Sequence, residues 1–286
     1  MDFTVRKLTP NVGAEISGLD LRRPLDPDIM AEVRKVWLDN VVVVFPGQAI
    51  DDDQQIAFSR QVGELELINM SALQMPGKPE IYMATNLDEN DEFMPPDHPV
   101  MQVNHDNRKW HSDSSFKRVP AMASLLHARI VPPVGGDTAF ANMAAAYEAL
   151  SDDMKAQLEG LVAAHNFYWS RRDVKVTAFT PDETNALPPM RHPVVRRHPE
   201  TGRPALFVGS HTESIDGIEW DEGRALIDSL IEHATQPRFV YQHAWRVGDL
   251  VWWDNRAALH CGMPFDITRH KRRLHRTTVA GTGPTL

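Results

Sequence analysis

The sequence predicts a mainly β chain with flanking helices (α+β), built on a double-stranded β-helix, or jelly-roll, core. Three observations lead there. From Pro120 onward the chain is a succession of short apolar segments: MASLLHARIV, GLVAAHNFYW, HPVVRRH, RPALFVGS, RFVYQHAW, DLVWWDN and HRTTVAG. Only two stretches of that part are helical in character, around Ser151–Leu158 and Asp221–His233, the latter with Leu226, Ile227, Leu230 and Ile231 as a core face. PETGR, between two of the strands, has the composition of a hairpin turn. Many short strands with few helices imply a sandwich or barrel, and a double-sheet jelly roll closes around small ligand sites.

The first third alternates strands and helices. FTVRKL and GAEISGLDL are strands. In LDPDIMAEVRKVWLDN, Asp26 is placed to cap a helix with Pro27 in its first position, and Ile29, Val33, Val36 and Trp37 share one face. VVVVF (41–45) is a buried strand, and DDDQQIAFSRQVG a second capped helix. Residues 87–109, LDENDEFMPPDHPVMQVNHDNRK, are polar, proline-bearing and without periodicity. A loop of that length in a compact chain is usually a lid, a binding loop or disordered; its place immediately before WHSD favours the lid. No repeat, low-complexity tract or linker divides residues 1–286, so one domain is expected.

Composition narrows the function. A net charge of −9 argues against a nucleic-acid binder, which needs a basic surface to neutralise phosphates. Cys261 is the only cysteine, which excludes an intramolecular disulfide and any cysteine-based zinc cluster. VVVVF is the longest apolar run, far short of a membrane span. MDFTVRKLTP has no apolar signal region, so a cytoplasmic location is expected.

Chemistry concentrates in four places. In WHSDSSF (110–116), His111 and Asp113 stand two apart, and alternate residues of a strand share a face. The pair alone decides nothing: with 13 His and 24 Asp in the chain, chance supplies about one His-x-Asp. VWWDNRAALHCG places His260 after an apolar strand, with DNR as a turn. A lone histidine there is more often a satisfied core residue, but two histidines and a carboxylate on a β scaffold can bind iron by one face and leave the other open. PPVGGDTAFANM has a glycine pair that permits a tight bend before Thr138, although read locally it is a plain turn. In KRRLHRTTV, a strand would turn Arg272, Leu274 and Arg276 to one side, where two arginines could clamp carboxylates; an exposed basic strand is the equal alternative.

Together, these pieces resemble the iron(II)/2-oxoglutarate-dependent dioxygenases of the taurine and dichlorophenoxyacetate dioxygenase family. The resemblance runs through GAEISGLDLRRPL, VVVVFPGQ, WHSDSSF, GGDTAFANM, HPETGRPALFVGSH, GDLVWWDNRAALH and RRLHRTTVAG. WHSDSSF and WDNR are nearer the phenoxyalkanoate branch. The resemblance implies His111, Asp113 and His260 as ligands of Fe(II), and Thr138 and Arg272 as the partners of the distal carboxylate of 2-oxoglutarate. It implies Arg276 as the arginine that meets the anionic group of the substrate. Arg272 and Arg273 are adjacent, and a shift of one residue would exchange their roles. Ile68 and His211 are further candidates for the substrate wall; His98, His105 and His275 are not.

Two departures refine this. Taurine enzymes hold the sulfonate with a histidine where this chain has GELELINM, offering Leu67, Ile68 and Met70 instead. A substrate with a bulky apolar or aromatic body, such as an aryloxyalkanoate, is therefore expected over taurine, with taurine, another alkylsulfonate or another organic acid as the alternative. Asp113 is absent from halogenating relatives, so halogenation is not expected. The implied reaction consumes 2-oxoglutarate and O2, yields succinate and CO2, and hydroxylates a substrate C–H. Beside an ether oxygen, that hydroxylation releases a phenol and a small oxo acid such as glyoxylate. The partners expected are a small-molecule carboxylate and further copies of the chain in a homo-oligomer, with no nucleic acid and no membrane. A zinc hydrolase or a non-catalytic binding protein on the same fold is the alternative of another class, and would leave Thr138 and the arginine pair without purpose.

Overall fold

The computed structural model describes residues 3–68, 73–172 and 187–285, with the backbone only at 105 and 106. Strands β1 (Thr4–Lys7) and β2 (Ala14–Ser17) form an antiparallel pair that leads into helix α1 (Pro27–Asn40). The Asp26 side chain accepts the N–H of Asp28, and Pro27 begins the helix with the φ it already prefers. Strand β3 (Val42–Phe45) is followed by α2 (Asp52–Val62), whose start is closed by reciprocal hydrogen bonds between Asp51 and Gln54. Next come β4 (Gln74–Met75), β5 (Lys78–Thr85) and α3 (Pro99–Asp106).

Helix α3 is a departure from expectation, because 87–109 shows no periodicity in sequence. Its apolar face is a single turn: Val100 and Val103 bury themselves against Tyr82 and Leu73. Two residues at i, i+3 are too few to stand out, and the packing against β5 supplies what the sequence pattern lacks.

The rest of the chain runs β6 (Ala123–Ile130), β7 (Thr138–Asn142), α4 (Met143–Glu148), α5 (Asp152–Leu158), β8 (Val162–His165), β9 (Met190–Pro193), β10 (Val195–Arg197), β11 (Pro204–Leu206), β12 (Thr212–Ile215), α6 (Trp220–Ala234), β13 (Val240–His243), β14 (Leu250–Asp254), β15 (Ala258–Gly262) and β16 (Arg273–Val279). HPVVRRH is therefore two strands, broken at Val194, whose N–H turns to Leu161 O. PETGR does join a hairpin, β10 to β11.

Eight strands make the large sheet, in the order β1-β2-β3-β14-β6-β16-β5-β4, and β13-β7-β15 form a smaller one. Period-two alternation sorts the side chains of the large sheet. Val43, Phe45, Leu125, Leu250 and Trp252 face α1 and α2, where Trp252 stacks on Trp37 with ring centroids 4.5 Å apart. Val42, Val44, Leu126, Val251, Trp253 and Leu274 face inward and meet Phe140 of β7 and Ala258 of β15. The run VVVVF is apolar at every position because both of its faces are covered. This is the two-layered jelly roll expected, with helices outside the large sheet and a candidate site at the edge of the interior layer. Among the described residues, no helix is long and apolar enough to cross a membrane.

Candidate metal centre and flanking cavities

His260 is not at the end of the apolar strand β14 but inside the next one, β15, opposite Phe140. There it meets His111. Each histidine donates its backbone N–H to the other's carbonyl, at 3.0 and 2.8 Å, and this exchange sets the two rings 4.1 Å apart, centroid to centroid. Asp113 lies two residues on, in the turn that follows, and its carboxylate comes to the same side. Its backbone N–H donates to Asn255 Oδ1 at 3.2 Å, and the Ser112 hydroxyl donates to Asn255 O at 2.8 Å, pinning WHSD to the WDN turn. One ligand atom from each of His111, Asp113 and His260 lies within 4.8 Å of the others, and all three side chains are buried.

The donor atoms suit a divalent cation. His111 Nδ1 is 2.8 Å from the Lys109 carbonyl, which can only accept, so the proton sits on Nδ1 and the lone pair of Nε2 faces the cluster. Burial pushes His111 below the ordinary histidine value and His260 well below it, which keeps both imidazoles neutral and free to bind metal. Burial alone would raise Asp113, but the Arg276 guanidinium, with the Ser124 hydroxyl, outweighs it and holds the carboxyl below its ordinary range. Two neutral imidazoles and one ionised carboxylate, without a thiolate, are the donors of a non-haem Fe(II) site.

Two cavities share Asn107 as a wall, and one of them borders the cluster. The first, of about 230 Å³, is bordered by His111 and Asp113 together with Arg276, Ile68 and His211. Arg276 Nη1 donates to Asp113 Oδ1 at 2.5 Å, and its Nε is buried with no hydrogen-bond partner among the described residues. His211 is buried against Phe116, at 5.0 Å between centroids, and burial, with Arg171 close by, pushes its pKa well down. All three candidates for the substrate wall therefore border one space; Met70 lies outside the described residues.

The second cavity, of about 440 Å³, contains Arg272. Arg272 Nε donates to Gly136 O at 3.1 Å, and burial pulls its pKa down to about 10, with no carboxylate paired to it among the described residues. Gly135 and Gly136 are both left-handed, and a Cβ on Gly135 would lie 2.6 Å from Pro264 O, so the expected bend depends on glycine. Thr138 follows as the first residue of β7, its hydroxyl oxygen accepting Trp245 Nε1–H at 3.0 Å and its own hydrogen left to donate. Arg273, by contrast, leaves the site for Asp91, at 2.6 Å. Arg272 and Arg276 thus border the two cavities, and Arg273 turns to Asp91. His275 faces Asp52 of α2 instead, at 2.7 Å.

Several site residues escaped sequence reasoning. Asn255 and Ser124 hold Asp113; Tyr82 lies beneath Arg276; Arg171, Phe116 and Phe167 complete the smaller cavity. Asn255, as the polar centre of WDNR, and Phe116, as the aromatic end of WHSDSSF, carried a signal.

A family model described as taurine catabolism dioxygenase TauD, TfdA family, matches residues 4–278. The chain belongs to that family. Within it, the chain is 40% identical over 284 residues to an alpha-ketoglutarate-dependent 2,4-dichlorophenoxyacetate dioxygenase of Burkholderia sp. (strain RASC), covering 98% of this chain and 95% of the other. It is 36% identical to the (S)-phenoxypropionate/alpha-ketoglutarate-dioxygenase of Sphingobium herbicidovorans, over 98% of this chain and 95% of that one. The crystal structure of AAD-2 with Mn(II) and N-oxalylglycine matches with a TM-score of 0.91 and 40% identity, across 100% of this chain and 99% of AAD-2. The TauD/TfdA dioxygenase fold is therefore the architecture described above.

Proposed function

We propose that this TauD/TfdA dioxygenase couples the oxidation of 2-oxoglutarate to hydroxylation of an aryloxyalkanoate-like carboxylate. One observation carries the reading: the His111–Asp113–His260 cluster borders a cavity in which Arg276 stands beside Asp113 and Ile68, Phe116 and Phe167 form part of the wall. The similarity to AAD-2 supports the co-substrate, since N-oxalylglycine has the oxalyl and carboxylate ends of 2-oxoglutarate. The 2,4-dichlorophenoxyacetate and (S)-phenoxypropionate relatives support the substrate class.

Iron held by the three ligands would, with 2-oxoglutarate and O2, supply the oxidising power: one oxygen atom of O2 would enter succinate as CO2 is released, and the other would convert a substrate C–H to C–OH. The chain supplies position and exclusion of water. His111, Asp113 and His260 hold the metal from one side. The Arg272 guanidinium and the Thr138 hydroxyl receive the distal carboxylate of 2-oxoglutarate. Arg276 receives the substrate carboxylate, which places the adjacent carbon near the metal, while Ile68, Phe116 and Phe167 enclose the aromatic body. His211 borders that body as a neutral imidazole. Hydroxylation of the carbon between ether oxygen and carboxylate gives a hemiacetal, which collapses to a phenol and an oxo acid. Residues 87–109, with α3, cover both cavities. The reading takes residues 1–286 as one dioxygenase domain acting in the cytoplasm as a homo-oligomer; the net charge of −9 supports leaving nucleic acid out of its partners.

The test is an anaerobic titration with Fe(II) and 2-oxoglutarate, in wild type and His111→Ala, for the visible charge-transfer band of the chelate. Succinate release with 2,4-dichlorophenoxyacetate and with taurine follows. A band in wild type alone and turnover with the aryloxyacetate support the reading. Turnover with taurine alone would return the substrate to the alkylsulfonates, and absence of any band would remove the co-substrate.

A further inference from the structure

We propose that Tyr82 is the positioning residue for Arg276, fixing the plane in which its guanidinium meets the substrate carboxylate and tying that arginine to α3. The proposal rests on Arg276 as the carboxylate anchor. Tyr82 on β5 and Arg276 on β16 are direct cross-strand partners, so the sheet register itself sets one over the other. The Arg276 Cζ lies 4.5 Å from the centroid of the Tyr82 ring. The ring is held at its far end as well. Its hydroxyl donates to Asn104 Oδ1 at 2.9 Å and accepts from Asn107 Nδ2 at 3.1 Å. Asn104 in turn donates to Thr85 O at 2.8 Å, and Asn107 O accepts the Gly262 N–H at 2.7 Å, two residues beyond His260.

The chemistry explains why a tyrosine serves here. Arginine has a long side chain with many rotamers, and fixing it in one orientation costs entropy at the moment of binding. Asp113 Oδ1 already takes one Nη–H of Arg276, at 2.5 Å, and a further carboxylate would cancel the attraction for an anionic substrate. An aromatic face holds the guanidinium plane by its quadrupole without adding negative charge. Leucine would keep an apolar side chain there, though a smaller one, without that attraction. Phenylalanine would keep the face but lose the anchor to Asn104 and Asn107. Since Asn107 borders both cavities, the seating of α3 and the orientation of Arg276 share one pivot.

The experiment compares Tyr82→Leu, Tyr82→Met, Tyr82→Phe and Arg276→Gln in the iron-loaded enzyme. It measures KM for 2,4-dichlorophenoxyacetate and for 2-oxoglutarate, the thermal midpoint, and hydrogen exchange across 99–106. Tyr82→Leu is expected to raise KM for the aryloxyacetate about tenfold, and to leave KM for 2-oxoglutarate within about twofold. Tyr82→Met, whose unbranched chain can adapt to the space the ring leaves, repeats this result if the leucine variant does not fold. Tyr82→Phe recovers most of the lost affinity, yet shares the faster exchange of 99–106. Equal rises in both KM values would make Tyr82 a merely structural residue and overturn the proposal, as would a phenylalanine variant no better than leucine. If Arg276→Gln raises the aryloxyacetate KM and Tyr82→Leu and Tyr82→Met do not, the proposal fails and the Arg276 reading stands. If Arg276→Gln itself has no effect, that reading fails and takes the proposal with it.

Discussion

Asn255 holds Asp113 from two ends. Its Oδ1 accepts the Asp113 backbone N–H at 3.2 Å, and its Nδ2 donates at 2.9 Å to Ser124, whose hydroxyl donates at 2.7 Å to Asp113 Oδ2. Trp253 Nε1–H, at 2.9 Å, fixes the Asn255 amide in turn. The carboxylate is thus aimed before any cation arrives, which lowers the cost of forming the site. Asn255→Ala is therefore expected to weaken Fe(II) or Mn(II) affinity by roughly 10- to 100-fold, and Ser124→Ala by the lower part of that range. Calorimetric titration with Mn(II) checks both. Wild-type affinity in Asn255→Ala would show that Asp113 needs no second support.

Parts of this site were legible in sequence and parts were not, for physical reasons. His111 and Asp113 stand two apart, and that spacing is local, although Asp113 lies in the turn after the His111 bridge and not on a strand. The pairing of His111 with His260 spans 149 positions and depends on strand order, which no local pattern encodes. The resemblance to known motifs supplied it. Tyr82 went unnoticed for the same reason: its role exists only through the register of β5 on β16. Helix α3 was invisible because one turn of Val100 and Val103 makes no stripe, whereas α1, with a proline start and three buried residues along its face, was plain. The adjacent arginines 272 and 273 could be told apart only once Arg273 was seen to leave for Asp91.

Arg272 and Arg276 should be separable in kinetics, since they turn to different cavities. Replacing either by glutamine removes a charge-assisted pair with a carboxylate, a loss of about 2–3 kcal/mol, or roughly 30- to 150-fold in affinity. Arg272→Gln is expected to raise KM for 2-oxoglutarate and leave the aryloxyacetate KM nearly unchanged. Arg276→Gln is expected to do the reverse. Initial rates of succinate release, with each substrate varied in turn, distinguish them. A common rise of both constants in both variants would mean that the cavities act as one.

Asp254, next to Asn255, has a structural task. Its carboxylate accepts Arg256 Nε–H at 2.8 Å and Nη2–H at 2.7 Å, and lies 2.9 Å from His198 Nε2, with all three side chains buried. Asp254→Asn leaves the buried Arg256 facing a neutral amide, which costs about 3–5 kcal/mol. Glu200, 2.5 Å from Arg256 Nη1, offsets part of this and makes the lower figure the expectation. Urea unfolding of the metal-free chain, with slopes compared to confirm two-state behaviour, measures it. A midpoint within error of wild type would refute the assignment.

His127 and His165 make stability depend on acid before any carboxylate titrates. Burial, with Arg129 close by, brings His127 down to about 4; burial, with His192 close by, brings His165 down to about 3. In the unfolded chain both return to about 6.5. Below that value the unfolded state takes up protons that the folded state refuses, so their contribution is complete above pH 6.5 and declines as pH falls. The decline ends near pH 4 for His127 and near pH 3 for His165. While both are in the window, each removes about 1.4 kcal/mol per pH unit. Urea midpoints of the metal-free protein should therefore fall steeply between pH 6.5 and pH 4.5. His127→Gln, which can still donate to Gln48 O as His127 Nε2 does at 2.8 Å, should reduce that slope by about one proton. A midpoint unchanged from pH 7.5 to pH 5 would require both histidines to be protonated in the fold, which their burial opposes.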